Sequence, residues 1–419
     1  MNRRHFLRTA AATSTLAALL PVPALATAAG NSKTYFDPER VAAIRRRIAP
    51  ISSQEFRARQ EQARRLMTEH KLDALLVEAG TSLQYFTGLS WWPSERLFAM
   101  VLPRTGEPFF ISPKFEEGRA REKLGDVRVL TWEEHEDPYA QLKQGFKDAG
   151  LLTATLGIDE TTRFFIIDKL QQALPQLKLQ NGIAVTAGCR SVKSASEIAL
   201  MQVANDITAD VYKKAQSLLR EGMGERELAE LISQLYGEFG VTGDALVLFG
   251  QASAYPHGLV KESFLKAGDI VLLDGGCEVE GYGSDITRTM VLGTASDKMK
   301  TVWDIVRRAQ DLALKTARPG LPAEQVDAAA RQFIAEQGYG PGYQHFTHRL
   351  GHGIGMDGHE WFYLVGGNKR PLQVGNMFSN EPGIYLIGEF GIRLEDEMLI
   401  TEDGARLLLP QAKSLDVIF

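Results

Sequence analysis

The sequence predicts an α/β protein (α+β in the wider sense) in two parts. An N-terminal mixed-sheet α/β domain spans residues 37–186, and a second domain with internal pseudo-twofold symmetry spans 187–419. Three observations carry this reading. Short apolar runs alternate with helix-period segments through the first part. Beyond Cys189 the order helix, helix, strands occurs twice. Two short signatures also recur: Arg220-Glu-Gly222 returns as Arg318-Pro-Gly320 after 98 residues, and Pro256-His257-Gly258 as Gly351-His352-Gly353 after 95.

Taken in order, residues 1–26 read as an export signal. Arg3-Arg4-His5-Phe6-Leu7 is a twin-arginine pattern, a weakly apolar stretch runs from Ala10 to Leu20, and Ala24-Leu25-Ala26 is a small-x-small cleavage site. Cleavage there removes three arginines and no acid, taking the formal net charge from −5 to −8. The expected destination is the bacterial periplasm or exterior. Helices are expected over Glu55–Lys71 and Pro138–Ala149, with strands at Asp73–Glu78, Leu97–Leu102, Pro108–Ser112 and Leu156–Ile158. Trp91-Trp92-Pro93 forms a loop whose rings either pack or line a pocket. Ile198, Met201, Ile207, Val211, Ala215 and Leu218 mark one helix, and Leu228 to Phe239 a second. Strands follow at Asp244–Phe249, Asp269–Gly275 and Asp285–Leu292. Met299 to Leu312 and Val326 to Ile334 then repeat the helix pair, and strands close the chain.

Composition excludes some functions. At 419 residues, 44% hydrophobic and 24% charged, the chain has material for two cores. A net charge of −5 without a long basic block gives nucleic-acid binding little electrostatic support. Arg45–Arg47 and the arginines between Arg57 and Arg65 read as solvated helix faces. No run of eighteen apolar residues offers a membrane span. Cys189 and Cys277 are too few for a disulfide framework and read as buried structural thiols. Cys277 lies three residues past Asp274, so strand alternation turns it to the opposite face.

Five side chains carry the chemistry. Asp274 ends the apolar run Ile270-Val-Leu-Leu-Asp, where a carboxylate needs a partner to offset desolvation. Asp285 opens the next strand, and a hairpin turning at Glu280-Gly281 places the two aspartates diagonally adjacent on one face. His352 is flanked by glycines that allow close backbone approach. Glu381 precedes Pro382-Gly383. Glu395 shares a strand face with Arg393, which is placed to orient the carboxylates. Four carboxylates with one imidazole form a hard, oxygen-dominated set suited to two divalent cations. It favours manganese or cobalt over a thiolate-type zinc site, and manganese is the expected ion, with cobalt or zinc as alternatives.

Leu273-Asp-Gly-Gly276, Ser284-Asp-Ile-Thr-Arg288, Gly351-His-Gly-Ile-Gly355, Asn380-Glu-Pro-Gly383 and Arg393-Leu-Glu-Asp396 together resemble the pita-bread metallopeptidases, in the branch of Xaa-Pro aminopeptidases and prolidases. Arg190-Ser-Val-Lys-Ser-Ala-Ser-Glu197 is similar to the segment that opens that family's catalytic domain. The resemblance implies that Asp274 binds one metal, His352 and Glu381 the other, and that Asp285 and Glu395 bridge them. It implies that His257 and His359 hold the substrate and steady the tetrahedral intermediate, and that Glu381 relays a proton. The nucleophile is then a hydroxide formed from water whose pKa two dications have lowered. The substrate is a small peptide with an Xaa-Pro bond, the assembly a homo-oligomer (dimer or tetramer), and Trp91 or Trp92 an aromatic reaching a neighbouring subunit's site. The alternative on the same fold is a metal-dependent hydrolase or lyase acting on a small amide-like molecule.

Overall fold

A computed structural model describes residues 34–419, so the expected export signal lies outside the described residues. The first sheet has six strands: β1 (Ala74–Glu78), β2 (Ala99–Pro103), β3 (Phe109–Pro113), β4 (Arg128–Trp132), β5 (Thr155–Ile158) and β6 (Lys178–Asn181). Their order is β4-β3-β2-β1-β5-β6. β2 runs antiparallel to β1 and β3, and the remaining pairings are parallel. β1, β2 and β3 read as unbroken apolar runs because both of their faces are covered. Leu76, Val101 and Ile111 pack on one side, and Leu75, Met100 and Phe110 on the other. The two edge strands, β4 and β6, were not expected. Lys178–Asn181 buries almost nothing, so no apolar period announces it.

The helix Ser53–Glu69 starts at Ser52, whose hydroxyl accepts the Glu55 N–H. Arg59, expected on a solvated face, is buried. Its guanidinium donates to Tyr85 O at 2.9 Å, Glu55 at 3.0 Å and the Tyr282 hydroxyl at 2.9 Å. Those acceptors, with Glu197 at 3.6 Å, offset its desolvation and tie this helix to the second domain.

The second domain is duplicated. Its first half has the helices Ala195–Ser217 and Glu225–Glu238, then β7 (Thr242–Phe249), β8 (Ile270–Val279), β9 (Tyr282–Gly283) and β10 (Ile286–Val291). Its second half has the helices Asp297–Thr316 and Ala323–Ile334, then β11 (Gly351–Gly353), β12 (Glu360–Leu364), β13 (Met377–Asn380), β14 (Gly383–Leu386), β15 (Phe390–Arg393), β16 (Asp396–Ile400) and β17 (Ala405–Leu407). The halves match bond for bond around the Arg-x-Gly signatures. Gly222 N–H donates to Leu265 O at 2.7 Å, as Gly320 N–H does to Leu372 O at 2.8 Å. Both glycines hold φ near +80°, which favours glycine. Gly224 bridges to Phe264 as Pro322 does to Pro371.

The second repeated signature is corrected by the pairing register. Phe249 of β7 faces Val271, and Gly353 of β11 faces Phe378. Gly353 therefore corresponds to Phe249. His352 sits in a strand, whereas His257 lies in a loop beyond β7, so their interval reflects no shared position.

β8 divides the two cores. Val271, Leu273 and Cys277 join the cluster under the first helix pair, whereas Ile270 and Leu272 join the cluster of the second half. Both cysteines are free and buried, and Cys277 points away from the Asp274 face as expected. The hairpin after β8 turns at Glu280 (φ +52°) and Gly281 (φ +85°), the signature of a two-residue type I′ turn. Among the described residues no helix is long and apolar enough to cross a membrane.

Candidate metal centre

The turn at Glu280-Gly281 fixes where the aspartates fall. Val279 pairs Tyr282, and the register runs unbroken to Asp274 opposite Thr287. Asp285, two residues before Thr287, is thus the diagonal neighbour of Asp274 on the same face. His352 is placed by β11. A Cβ on Gly351 would lie 2.0 Å from Ser379 O, so only glycine lets β11 come this close to β13, the strand that leads into Glu381. The Ser379 hydroxyl accepts the His352 N–H at 3.0 Å and donates to Glu381 Oε1 at 3.1 Å. Arg393 and Glu395 point into the site while Ile392 and Leu394 enter the core.

All five expected ligands line one cavity of about 160 Å³, together with His257, His359 and Arg393. Donor atoms of Asp274, Asp285 and Glu395 lie within 4.8 Å of one another, and so do those of His352, Glu381 and Glu395. The two trios share Glu395. A third trio joins Asp285 and His352 to His359, whose ring stacks on His352 at 3.7 Å. His352 Nδ1–H donates to Gly353 O at 3.1 Å, which leaves Nε2 as a lone pair facing Glu381 Oε1 at 3.3 Å.

The electrostatics are those of a pocket short of positive charge. Burial, then Asp274 and Glu381, push Asp285 well above the usual carboxylate range. Burial, then Asp285 and Glu381, do the same to Glu395. Burial lifts Glu381 to about 8. Asp274 is the exception: burial raises it, but the Arg393 guanidinium and the Thr287 hydroxyl override that and hold it low. Burial lowers His352 to about 4, so its imidazole is neutral and able to ligate. Apart from Asp274, the carboxylates crowded here favour their protonated forms unless cations replace the protons. Together with a histidine whose free nitrogen faces inward, that donor set fits two divalent ions.

Several supporting side chains were not expected. Thr287 Oγ1 lies 2.7 Å from both Asp274 Oδ1 and Glu395 Oε2. Glu397 Oε1 accepts the Asp285 N–H at 2.9 Å. Arg288 is buried against Asp396 at 2.6 Å and donates to Glu395 O at 2.7 Å. Arg393 ion-pairs with Asp274 and donates to the Tyr385 hydroxyl at 2.8 Å. His348 Nδ1–H donates to Arg349 O, so its Nε2 accepts from Tyr385 O–H at 2.7 Å. Strand parity was a usable signal for three of these, because Thr287, Ser379 and Glu397 each sit two residues from a ligand. Tyr385 and His348 had no such signal. Trp91 packs on Phe98 with ring centroids 4.2 Å apart, while Trp92 is 86% exposed.

A duplicated unit around an inward-facing set of four carboxylates and an imidazole, behind a mixed-sheet N-terminal domain, defines a pita-bread hydrolase of metal-dependent type. The sequence comparisons agree. Residues 199–402 match the metallopeptidase family M24 and residues 59–192 the creatinase/prolidase N-terminal domain. The chain belongs to metallopeptidase family M24 and is a peptidase of that family. It is 36% identical to a peptidase of Schizosaccharomyces pombe, covering 87% of this chain and 83% of the relative. Among solved structures it is similar to a dipeptidase from Mycobacterium ulcerans, with a TM-score of 0.82 and 31% identity over 88% of this chain and 100% of that one. It is also similar to a prolidase from Thermococcus sibiricus, with a TM-score of 0.79 and 33% identity over 86% and 98%.

Proposed function

We propose that this protein is an exported exopeptidase that hydrolyses Xaa-Pro bonds, in dipeptides or at the N-terminus of longer peptides, with two divalent metal ions. The observation that carries the reading is the pair of donor trios sharing Glu395 inside one cavity. Asp274, Asp285 and Glu395 would hold one ion and His352, Glu381 and Glu395 the other, with Asp285 also within reach of His352 at 3.7 Å. When bound, the ions supply Lewis acidity and an acidified water; the carboxylate-rich set favours manganese or cobalt over a thiolate-type zinc site, with manganese proposed first.

The remaining steps belong to the chain's own side chains. Glu381 Oε1 is occupied by Ser379, so Oε2 is the atom that takes up and returns the proton. His257 and His359 line the cavity where a carbonyl oxygen gaining charge would sit, and they orient and stabilise it. Arg393 holds Asp274 ionised and fixed through its ion pair. Export through a twin-arginine signal and assembly as a homo-oligomer belong to the same proposal.

The test is an assay of Xaa-Pro dipeptides and Xaa-Pro-Yaa tripeptides with the protein reloaded with manganese, cobalt or zinc, alongside elemental analysis. Two ions per chain and turnover of either class are expected. Turnover of dipeptides alone makes it a prolidase, and turnover of tripeptides makes it an aminopeptidase. Two bound ions with no turnover of either would replace the peptidase by the amide-hydrolase or lyase alternative.

A further inference from the structure

His359 lines the cavity, yet its imidazole makes no hydrogen bond to any described residue. Only its stacking on His352 and the path of its backbone set its position. That backbone is anchored one residue later. Glu360 is buried on the far side of the strand and accepts from two cations. Arg190 donates to Oε1 at 2.7 and 3.1 Å, and Lys193 donates to Oε2 at 2.8 Å. The same Oε1 accepts the Met356 N–H at 3.1 Å, closing the turn that leads into His359. Gly355 leaves room for this cluster, since a Cβ there would lie 2.9 Å from both Glu360 Oε1 and Lys193 Cε. Arg190 also ion-pairs with Asp357, which accepts from the Thr81 hydroxyl at 2.6 Å. Thr81 begins a helix that follows β1 of the first sheet.

We propose that the buried Arg190–Glu360–Lys193 cluster is a positioning device for His359, and that Asp357 and Thr81 tie it to the N-terminal domain. This rests on the reading that His359 meets the substrate. Glu360 touches no reacting atom and acts through the residue before it. A neighbouring domain thereby gains a direct bearing on the geometry of the active site. A misplacement of about 1 Å in a group that stabilises a transition state costs up to about a hundredfold in rate.

The experiment is a double-mutant cycle of Glu360→Gln and His359→Ala in the full, metal-loaded chain, with alanyl-proline and alanyl-prolyl-alanine as substrates. Hydrogen exchange of residues 354–359 is followed in the metal-free protein. Glu360→Gln should lower kcat by about ten- to a hundredfold, with KM within about twofold and metal content unchanged. It should speed exchange in 354–359 and cause no further loss in the His359→Ala background. Losses that multiply in the double variant, or unchanged exchange in 354–359, overturn the proposal. If Glu360→Gln does not fold, Thr81→Val serves in the same cycle, with an expected loss in kcat of about threefold from one hydrogen bond. A fully active His359→Ala would instead remove the role assigned to His359. Absence of turnover in the wild type would defeat the peptidase reading, and the exchange data alone would then decide whether Glu360 holds the loop.

Discussion

Replacing Asp285 by asparagine should make the metal-free protein more stable and the metal-loaded protein comparatively less so. Asparagine matches aspartate in size, and the backbone N–H bond to Glu397 at 2.9 Å is untouched. In the wild type, Asp285 has carboxylate neighbours in Asp274 and Glu395 within 4.8 Å. Two unit charges at that separation repel by about 3.5 kcal/mol at an effective dielectric of about 20. Burial and the neighbouring carboxylates raise the pKa of Asp285, so protonation offsets part of this repulsion and the variant should gain about 1–2 kcal/mol at pH 8. The sign follows from linkage. A carboxyl whose folded pKa lies above its unfolded value stabilises the fold at low pH, and that contribution is lost as pH rises towards the folded value. For Glu381 the window runs from about pH 4.5 up to about 8. The metal-free wild type should therefore weaken across that range, and Asp285→Asn should weaken less. Manganese at a hundred times its Kd should stabilise the wild type by about 2.7 kcal/mol and the variant by much less, reversing their order. Urea denaturation in chelator and in manganese measures both differences. A variant less stable than the wild type in chelator, or one stabilised equally by manganese, would refute the account of a charge-frustrated pocket.

Three further outcomes are expected. Burial raises Glu360, but Lys193 and Arg190 override it and hold its carboxyl down at about 2. The stability it contributes, about 3 kcal/mol, is present above about pH 4.5 and lost as pH falls towards 2, so denaturation midpoints of Glu360→Gln should fall less steeply over that interval. Tyr385→Phe strips a hydroxyl that accepts from Arg393 and donates to His348, and it should cost about 1–3 kcal/mol in denaturation while lowering kcat more than it raises KM. Glu280→Asn, at φ +52° in a type I′ turn, should raise stability by about 0.5–1 kcal/mol with activity unchanged.

What the sequence disclosed was governed by short-range rules. Asp274 and Asp285 were legible as a pair because a two-residue turn fixes the register of everything beyond it, and parity then decides the face. Parity also gave Arg393 with Glu395 and sent Cys277 to the other side. Where several elements converge, no local rule applies. Tyr385 reaches Arg393 because β14 and β15 form a hairpin, and it reaches His348 because that hairpin lies against the loop before β11. Arg59 misled because its helix is polar on most sides, and its partners come from residues more than a hundred positions away as well as from its own turn. β6 was missed because an edge strand with exposed side chains carries no apolar period.

The duplication explains why a site of this charge forms at a seam between halves. Asp274 lies four residues past the start of β8 at Ile270, and Glu381 four past the start of β13 at Met377. Each half thus contributes one carboxylate at the same distance from the start of its strand. The chain entering β10 then adds Asp285 from the first half, and the chain leaving β15 adds Glu395 from the second. The halves diverge where symmetry would have been unhelpful. β8 continues past Asp274 into a regular hairpin, whereas β13 stops before Glu381 and the following hairpin, β14–β15, folds aside to deliver Tyr385 and Arg393. A strictly symmetric pocket would hold only acids. The asymmetric hairpin supplies the guanidinium that keeps Asp274 ionised, and β11 supplies the imidazole. The ligand set is therefore completed by the departures from the repeat, while the repeat itself brings the carboxylates face to face.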